Sequence, residues 1–417
     1  MKAAFRIVTL IIMVSFLAAC AQPTAAPMAT EPAVTKPPAA TEAPAATEAP
    51  VVEELSPQDA WLKANELGPY ETGVQDWAAI EAAANAEGEL LVYANTSKVE
   101  KAAEGFMEKY PGIKVQAFDL GGDDVLLKVV EEQKAGAFTG DVWFSSGGAE
   151  LVGNVLPNKY VWRFVPESIA AVTPEEYTQP LLMSRFGTSV FAYNSELNET
   201  CPIKNIWELT QPEWKGKFYI EDPLNDASTL SKLITIAYHA DELKQAYIDL
   251  YGSEPVLEED TPDAGWLWLK KFAQNSPIPE PGGDEVDEAF ATPGMTESYM
   301  ALTSYSNMAD VVEGNLAFEP CWGLDPILGV QSQSYLGIIN QAPHPNAAKL
   351  WIQYVSSPEG RDPWAKFGTY FPDSTYEVPE GQKPLDEMMS MTWLIAEQYA
   401  YDHMIDARDF YLLNLGQ

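Results

Sequence analysis

A buried strand gives way to an amphipathic helix in the stretch ELLVYANTSKVEKAAEGF, residues 89–106. Residues 90–93 form a short apolar run of the kind that favours a buried strand. From Val99 to Tyr110 the apolar residues recur at steps of three and four, which places them on one face of a helix. Asn95, Thr96 and Ser97 lie at the junction. Ser97 or Thr96 is expected to cap the helix, and the same loop is expected to face a ligand.

Strands and helices continue to alternate on both sides of this stretch. Helices are predicted over residues 76–88, 98–110, 121–136, 228–238 and 346–355. Strands are predicted over residues 89–93, 113–118, 141–144, 188–193, 217–220, 300–303 and 336–339. This order is typical of an α/β protein with a doubly wound parallel sheet.

Small polar residues follow several of the predicted strands. In sheets of this kind ligands bind beyond the carboxyl ends of the strands. Four clusters occupy such positions: residues 95–97, 145–148, 226–229 and 303–307. Each cluster on its own is explained by the preference of Ser, Thr and Asp for helix N-caps. Four of them at strand ends predict a ligand cleft.

The N-terminus predicts export and attachment to a membrane. Lys2 and Arg6 precede an apolar core at residues 7–16, which indicates a signal peptide over 1–19. The tetrad Leu-Ala-Ala-Cys, residues 17–20, resembles a bacterial lipobox with lipid attached to Cys20; an ordinary signal peptide is the alternative. Residues 20–56 are rich in Ala, Thr, Pro and Glu and are expected to form a disordered tether. Residues 57–75 form an N-terminal extension of the folded part. We therefore expect an extracytoplasmic protein anchored to the bacterial cell membrane.

Charge and cysteine content narrow the classes of partner. Without Lys2 and Arg6 the mature chain has 23 basic and 61 acidic side chains, a formal charge of −38. A phosphate backbone needs a basic surface, so nucleic acid is excluded as a partner. Cys201 and Cys321 remain in an oxidising compartment and are predicted to form a disulfide, with two buried thiols as the alternative.

The motifs of the common enzyme classes are absent from the sequence. It contains no G-x-S-x-G, H-E-x-x-H, Walker, C-x-x-C or G-x-G-x-x-G pattern. Only three histidines are present in its 417 residues. Asp123–Asp124 and residues 258–260 are the places where a glycosidase-like acid pair could lie, but solvated loops explain them better. No catalytic residue, metal ligand or cofactor is predicted, and we expect a protein that is not an enzyme.

Six segments in a fixed order resemble the periplasmic solute-binding proteins of ABC importers, in the branch of ferric-iron, polyamine, thiamine and aminoalkylphosphonate binders. They lie within residues 76–372 and read DWAAIEAAANAEGELLVYANTS, FMEKYPGIKVQAF, GDVWFSSGG, FGTSVFAYNSEL, WELTQPEWKGKFYIEDP and APHPNAAKLWIQYVSSPEGRDPWAKFG. The resemblance implies an α/β fold of the type II periplasmic-binding kind. Two doubly wound lobes are then joined by crossover strands, with a ligand cleft between them.

The resemblance also implies lobe boundaries, partners and ligand contacts. Lobe 1 would comprise 76–192 and 326–372, and lobe 2 would comprise 193–325 and 373–417. A monomer would deliver a small-molecule solute to an ABC permease with its ATPase. The expected ligand residues are Asn95, Thr96, Ser97, Ser145, Ser146, Gly147, Tyr193, Asn194, Asp226, Ser228, Thr229, Ser304, Tyr305 and Trp322. Core packing is the alternative for Trp322.

The hydroxyl-lined strand ends favour an anionic or zwitterionic solute, such as a phosphonate. The adjacent tyrosine pair that is typical of ferric-iron binders is missing, which disfavours iron. A polyamine could use Asp226, Asp325 and Trp322. A receptor without a transport role, or a hydrolase on the same scaffold, is the further alternative. The acidic, proline-rich residues 255–287 depart from the family pattern and have no predicted role.

Overall fold

The computed structural model describes residues 55–416, so the predicted signal peptide, Cys20 and nearly all of the predicted tether lie outside the described residues. The helices are α1 (Pro57–Ala64), α2 (Trp77–Glu87), α3 (Lys98–Lys109), α4 (Gly122–Ala135), α5 (Gly148–Glu150), α6 (Glu167–Ala170), α7 (Ala227–Tyr238), α8 (Ala240–Tyr251), α9 (Ala264–Gln274), α10 (Gly283–Ala291), α11 (Met308–Glu313), α12 (Pro345–Ser356), α13 (Leu385–Met391) and α14 (Glu397–Asn414). The strands are β1 (Glu89–Ala94), β2 (Lys114–Asp119), β3 (Val142–Ser145), β4 (Val161–Trp162), β5 (Leu182–Asn194), β6 (Phe218–Glu221), β7 (Ile278–Glu280), β8 (Met300–Ser304), β9 (Phe318–Pro320), β10 (Gly329–Ile339), β11 (Thr369–Tyr370) and β12 (Thr392–Leu394).

The stretch at residues 89–106 forms β1 and α3, as its apolar pattern predicts. The helix buries the face that carries Val99, Ala102, Ala103 and Phe106. Gly88 ends the preceding helix α2 with a φ of 72°. Glycine adopts this left-handed conformation without steric cost, which lets the chain turn directly into β1.

The strands form one mixed sheet with the order β2-β1-β3-β10-β5-β8-β6-β7. β1 runs parallel to β2 and β3 at one side, and β6 runs parallel to β7 and β8 at the other. The predicted parallel pairing is found for β1, β2 and β3, whereas β10 and β5 in the middle of the sheet pair antiparallel with each other. β10 is also antiparallel to β3, and β5 to β8, so these two long strands connect the parallel groups.

Two large apolar clusters lie at opposite ends of the strand order. One contains Phe106 and Trp351 together with apolar residues of β1, β3 and α12. The other contains Trp207 and Trp268 with apolar residues of β6, α7 and α9. The predicted extension contributes Leu62 and Leu67 to the first cluster, and the proline-rich segment contributes α9 to the second. The lobe boundaries themselves stay a prediction.

Cys201 and Cys321 are joined by a disulfide, with 5.1 Å between their Cα atoms. Cys201 follows β5, and Cys321 follows β9, which pairs with the end of β5. The bond therefore ties together, beside the end of β5, two segments that are 120 residues apart in the chain. Among residues 55–416 no helix is both long and apolar enough to cross a membrane.

Candidate functional site

A cavity of about 570 Å³ lies where several strand ends meet the starts of helices. Asn95 follows β1, Ser146 follows β3, Asp226 precedes α7, and Glu397 begins α14. The complete lining is Asn95, Gly121, Gly122, Asp123, Asp124, Leu126, Ser146, Gly147, Gly148, Ala149, Glu150, Asp226, Ala227, Ser228, Ser231, Gln333, Ile395, Glu397 and Met404.

Five of the sequence-predicted ligand residues line this cavity: Asn95, Ser146, Gly147, Asp226 and Ser228. The amide of Asn95 donates from Nδ2 to Ser146 Oγ at 2.7 Å, which holds the loops after β1 and β3 together. Asp226 is the N-cap of α7, and its Oδ1 accepts from the backbone N–H of Thr229. The two chain regions that the sequence analysis singled out thus face one space.

The other predicted residues of the first strand ends lie outside the cavity lining. Ser97 is at the N-cap position of α3 but makes no side-chain capping bond, so the expected side-chain cap is wrong. The hydroxyl of Thr96 is taken up by a long-range contact, since its Oγ1 accepts from Trp364 Nε1 at 3.1 Å. Ser145 is fully buried, and its Oγ has no hydrogen-bond partner among residues 55–416.

Three further predicted residues lie outside the lining and make contacts inside the protein: Tyr193, Asn194 and Thr229. Tyr193 packs in the apolar cluster around Trp207 and Trp268. Asn194 is fully buried and donates to the carbonyl of Phe290 at 3.0 Å. Thr229 donates to Glu221 at 3.3 Å.

The predicted residues after β8 form a separate group with Trp322. Ser304 Oγ is 2.8 Å from Ser306 Oγ, and the buried Tyr305 meets Trp322 edge-on with 5.9 Å between ring centroids. Trp322 is 39% exposed, so the alternative of core packing is wrong for it. Lys383 Nζ lies 5.0 Å from the centroid of its ring. None of this group lines the cavity.

Carboxylates are the main feature of the lining, and the sequence analysis did not assign four of the five to the site. Asp123 and Asp124 lie in the first turn of α4, Glu150 in α5 and Glu397 at the start of α14, and Asp226 adds a fifth. The two aspartates of α4 follow β2 in the chain, so the rule that found the other strand ends could have found them. Glu397 carried no such signal. No lysine or arginine is part of the lining.

Glu397 is the cavity carboxylate whose surroundings change its acidity most clearly. Burial raises its pKa to about 7, although a hydrogen bond that Tyr335 Oη donates to Oε1 at 2.8 Å opposes the rise. Burial likewise raises the pKa of Tyr335, and the Glu397 carboxylate reinforces that rise. Near neutral pH this position can therefore bind either a hydrogen-bond donor or, when ionised, a cation.

A lysine lies near the Asp226 side of the cavity without lining it. Burial lowers the pKa of Lys232, whereas the attraction of Asp226 and Glu221 opposes that change. Burial and repulsion from Asp226 raise the pKa of Glu221. Lys232 forms no salt bridge with either carboxylate among the described residues, so Asp226 keeps acceptor capacity towards the cavity.

Two amide oxygens of the lining have no donor. Gln333 of β10 is 5% exposed; its Nε2 donates to the carbonyl of Ile395 at 3.4 Å, and its Oε1 has no partner among the described residues. Asn95 Oδ1 is also without a partner there. Buried acceptors of this kind are costly unless a donor reaches them. A ligand with N–H groups would supply that donor.

The close approach of α14 to the β3 loop depends on two glycines. A Cβ at Gly148 would lie 2.0 Å from Glu397 Oε1, and one at Gly153 would lie 2.1 Å from Cγ of Tyr401. At Gly153 a larger residue would force the ring of Tyr401 to move, whereas at Gly148 it would displace the carboxylate end of Glu397. The two glycines thus set the distance between Glu397 and the rest of the lining.

Within residues 55–416 no three His, Cys, Asp or Glu side chains are grouped closely enough to hold a metal ion. The carboxylates of the cavity are spread over four helix starts rather than gathered at one point. As it stands, the lining can accept hydrogen bonds and attract positive charge.

The chain is similar in fold to solved binding proteins. Iron-bound HitA from Pseudomonas aeruginosa matches with a TM-score of 0.60 and 18% identity, covering 77% of this chain and 99% of that one. AfuA from Actinobacillus pleuropneumoniae, with exogenous fructose-6-phosphate bound, matches with 0.55 and 18%, covering 79% and 98%. MotA from A. tumefaciens B6 in complex with glucopine matches with 0.55 and 13%, covering 78% and 99%. These likenesses establish a type II periplasmic-binding fold, as the resemblance implied.

A search of curated proteins finds no match to this chain. The family model of the bacterial extracellular solute-binding proteins does match, over residues 101–392. This span includes β3, β5, β6 and β10 and most of the cavity lining. The protein therefore belongs to the bacterial extracellular solute-binding proteins and is a solute-binding component of the ABC-importer type.

Proposed function

We propose that this protein is anchored to the bacterial cell membrane by lipid on Cys20 and captures a small solute in the cavity between Asn95, Asp226 and Glu397. It then delivers the solute to an ABC permease. The cavity itself is the observation that supports this proposal, because strand-end loops from distant parts of the chain enclose it. Residues 76–192 with 326–372, and 193–325 with 373–417, are proposed to be two lobes that close on the solute by a hinge motion.

The lining favours a solute that carries a positively charged group. Five carboxylates, two amide oxygens without donors and no lysine or arginine surround the space. An ammonium group would satisfy the acceptors and be attracted by the carboxylates, whereas a purely anionic solute would be repelled. Of the anionic and zwitterionic solutes that the sequence analysis favoured, the zwitterion is thus the better candidate. Polyamines are the second class, and they fit the same acidic lining.

The solved structures of similar fold do not decide between these classes of solute. The related structures are described with iron, fructose-6-phosphate and glucopine bound, all at 18% identity or below. Ferric iron therefore remains a competing cargo to be tested. Product analysis distinguishes a hydrolase from a binding protein. Neighbouring genes for a permease and an ATPase distinguish a transport protein from a receptor without a transport role.

A thermal-shift panel on the full chain, solubilised in detergent and refolded to remove carried-over ligand, tests the proposal. It comprises an aminoalkylphosphonate, amino acids, spermidine, phosphate, sugars, and Fe³⁺ with citrate. A solute at a hundred times its dissociation constant adds about 2.7 kcal/mol to the free energy of unfolding. We expect solutes with an ammonium group to raise the midpoint, and we expect this effect to depend on the acidic lining of the cavity.

Two charge-neutralising variants locate the binding. Asp226→Asn keeps a good N-cap for α7 and removes the charge, so it should weaken binding at least tenfold, about 1.4 kcal/mol, with little loss of stability. Asp406→Asn is the matched control, since Asp406 is exposed on α14 and outside the lining. Equal binding of an ammonium-bearing solute by both variants would contradict the assigned site, and a panel in which no ammonium-bearing solute raises the midpoint would contradict the charge preference.

A further inference from the structure

Arg185 is a charged side chain without a counter-ion in a strongly acidic protein. The chain has 61 acidic residues against 25 basic ones, and the other arginines with buried contacts have carboxylate partners: Arg163 pairs with Glu71, and Arg361 with Asp373. Arg185 forms no salt bridge or side-chain hydrogen bond among residues 55–416. Its Nη1 is inaccessible to solvent and has no acceptor.

Two aromatic rings hold the guanidinium in place. Its Cζ lies 5.1 Å from the ring centroid of Phe144 and 5.5 Å from that of Trp364. Burial lowers the pKa of Arg185 to about 10, so the group remains charged at neutral pH. Cation–π contacts offset part of the cost of burying this charge, but they do not satisfy the N–H groups, which need acceptor atoms.

Lys98 lies close enough to Arg185 and to Lys366 to be affected by the charge of both. Burial lowers the pKa of Lys98, and repulsion from Lys366 and Arg185 lowers it further. Lys98 is half-buried and Lys366 is exposed, and neither side chain has a carboxylate partner within residues 55–416. Lys98 thus lies near two other cations, and none of the three has an anionic partner among these residues, so a ligand of opposite charge would balance them.

The N-terminus of α3 adds positive charge to the same region. Lys98 is the first residue of α3, a helix of 12 residues whose N-cap Ser97 makes no side-chain capping bond. The helix N-terminus thus adds partial positive charge. Thr96 connects this turn to Trp364, the ring that holds Arg185. The three cations, the turn at residues 96–98 and the two rings therefore form one neighbourhood, next in the chain to the cavity residue Asn95.

We propose that Arg185, Lys98 and Lys366 form a binding site for a compact oxyanion: a carboxylate, phosphonate or phosphate group. The guanidinium supplies a planar pair of donors that suits two oxygens, and the lysines add positive charge. The anion is either a free ion or the acid group of the captured solute. The site itself does not depend on which solute fills the cavity.

Titration with inorganic phosphate, methylphosphonate and acetate tests this site on the full chain at pH 7 and constant ionic strength, with chloride as the reference. We expect at least one of these anions to raise the unfolding midpoint saturably. Arg185→Gln and Lys98→Gln should each weaken that effect at least tenfold. Arg408→Gln, which changes an exposed arginine of α14, should behave like the wild type. If Arg185→Gln does not fold, Lys98→Gln decides, because Lys98 is only half-buried.

A second arm separates the two sources of the anion. Aminoethylphosphonate is compared with methylphosphonate plus ethylamine. If aminoethylphosphonate binds more tightly than methylphosphonate, and both Arg185→Gln and Asp226→Asn weaken its binding, the anion is the acid group of the solute. If methylphosphonate alone binds as tightly as aminoethylphosphonate, the anion is a free ion. The proposal is overturned if no anion exceeds chloride and the joined molecule binds Arg185→Gln as tightly as wild type. In that case the guanidinium only packs against Phe144 and Trp364. If Asp226→Asn still weakens the binding of the solute, the proposed function stands.

Discussion

Glu397 shows how one buried side chain links ligand binding to pH. Its pKa of about 7 in the folded protein is above the ordinary value of 4.5, because burial disfavours the ionised form. The folded state therefore binds a proton more readily than the unfolded state between these two values. The stabilisation that follows is fully present below about pH 4.5 and is lost as the pH rises through 7. Ionised Glu397 is thus expected to cost stability at the pH where it attracts a cation best.

The first pH prediction concerns the stability of the ligand-free protein. Glu397→Gln removes the ionisation and keeps an acceptor for Tyr335, so its free energy of unfolding should exceed that of wild type by about 1–3 kcal/mol at pH 8. The excess should shrink as the pH falls towards 5. Urea denaturation of both proteins across this range measures it. A difference that does not change with pH would contradict a raised pKa at Glu397.

Comparison with the wild type at each pH is necessary because another carboxylate acts in the same direction. Burial raises the pKa of Asp287 to about 6, although it accepts hydrogen bonds from Thr303 and Asn307. Its contribution remains in Glu397→Gln and cancels in the difference. A binding titration completes the experiment: affinity for an ammonium-bearing solute should rise from pH 6 to pH 8 in wild type and stay nearly constant in the variant.

The candidate site could be predicted in part, and the missing residues have a common reason. Asn95 and Ser146 come within two residues of the ends of predicted strands, and Asp226 begins the helix after a later predicted strand, so local order placed them at a sheet edge. Gln333 and Glu397 reach the same cavity from β10 and α14, and nothing local marks them out. Tyr193 and Asn194 also follow from the resemblance, but both are buried: as neighbours on β5 they point to opposite faces, and both faces are covered at this end of the strand.

At the scale of elements, α14 packs tightly against the segment after β3. The segment at residues 148–155 is helical, and Gly148 and Gly153 leave room for Glu397 and Tyr401 of α14. Helices approach this closely only where one of them carries small residues, because each added methyl group must displace its neighbour. The packing also fixes the first residue of α14 at the cavity.

A methyl group at Gly153 tests this packing. Gly153→Ala would place its Cβ 2.1 Å from Tyr401 Cγ, near the base of a ring that cannot swing away without moving α14. We expect the free energy of unfolding to fall by about 1–3 kcal/mol. Gly283→Ala is the matched control, since a Cβ at that helical glycine meets nothing within 4 Å. If the two variants are equally stable, the glycine contact is not a constraint on α14.

The elements that the sequence predicted well are those with a strong local period. β1, α3, β2 and α12 each have a clear apolar pattern, and their bounds agree with the structure to within a few residues. β4, β11 and β12 have two or three residues each, which is too short for any period to appear. They exist because β5 and β10 offer free edges for pairing.

At the scale of the whole molecule, the disulfide closes the longest covalent loop described here. Cys201 and Cys321 are 120 residues apart, and the loop between them contains β6, β7 and β8 with their helices. Cross-linking a loop of this length removes much of the entropy of the unfolded chain. We expect reduction to lower the free energy of unfolding by about 2–5 kcal/mol.

Guanidinium denaturation with and without a phosphine reductant measures this effect. A double Cys201→Ser, Cys321→Ser variant is the control, because reductant should no longer change its midpoint. Counting thiols on the unfolded, unreduced chain gives an independent check. Two free thiols on the chain whose Cys20 carries lipid would show that the bond is not formed in the isolated protein. An unchanged midpoint on reduction would contradict its role in stability.

The position of β10 has a consequence for the order in which the protein folds. β10 lies between β3 and β5 in the sheet, yet it follows both of them by a long stretch of chain. An exported chain that emerges from its N-terminus first presents β3 and β5 with one unpaired edge each, until the last quarter of the chain arrives. The centre of the sheet is thus completed late, and contacts of high sequence separation make this step slow. Protection of exposed strand edges during secretion, by a chaperone or by rapid passage, is a requirement that this topology imposes.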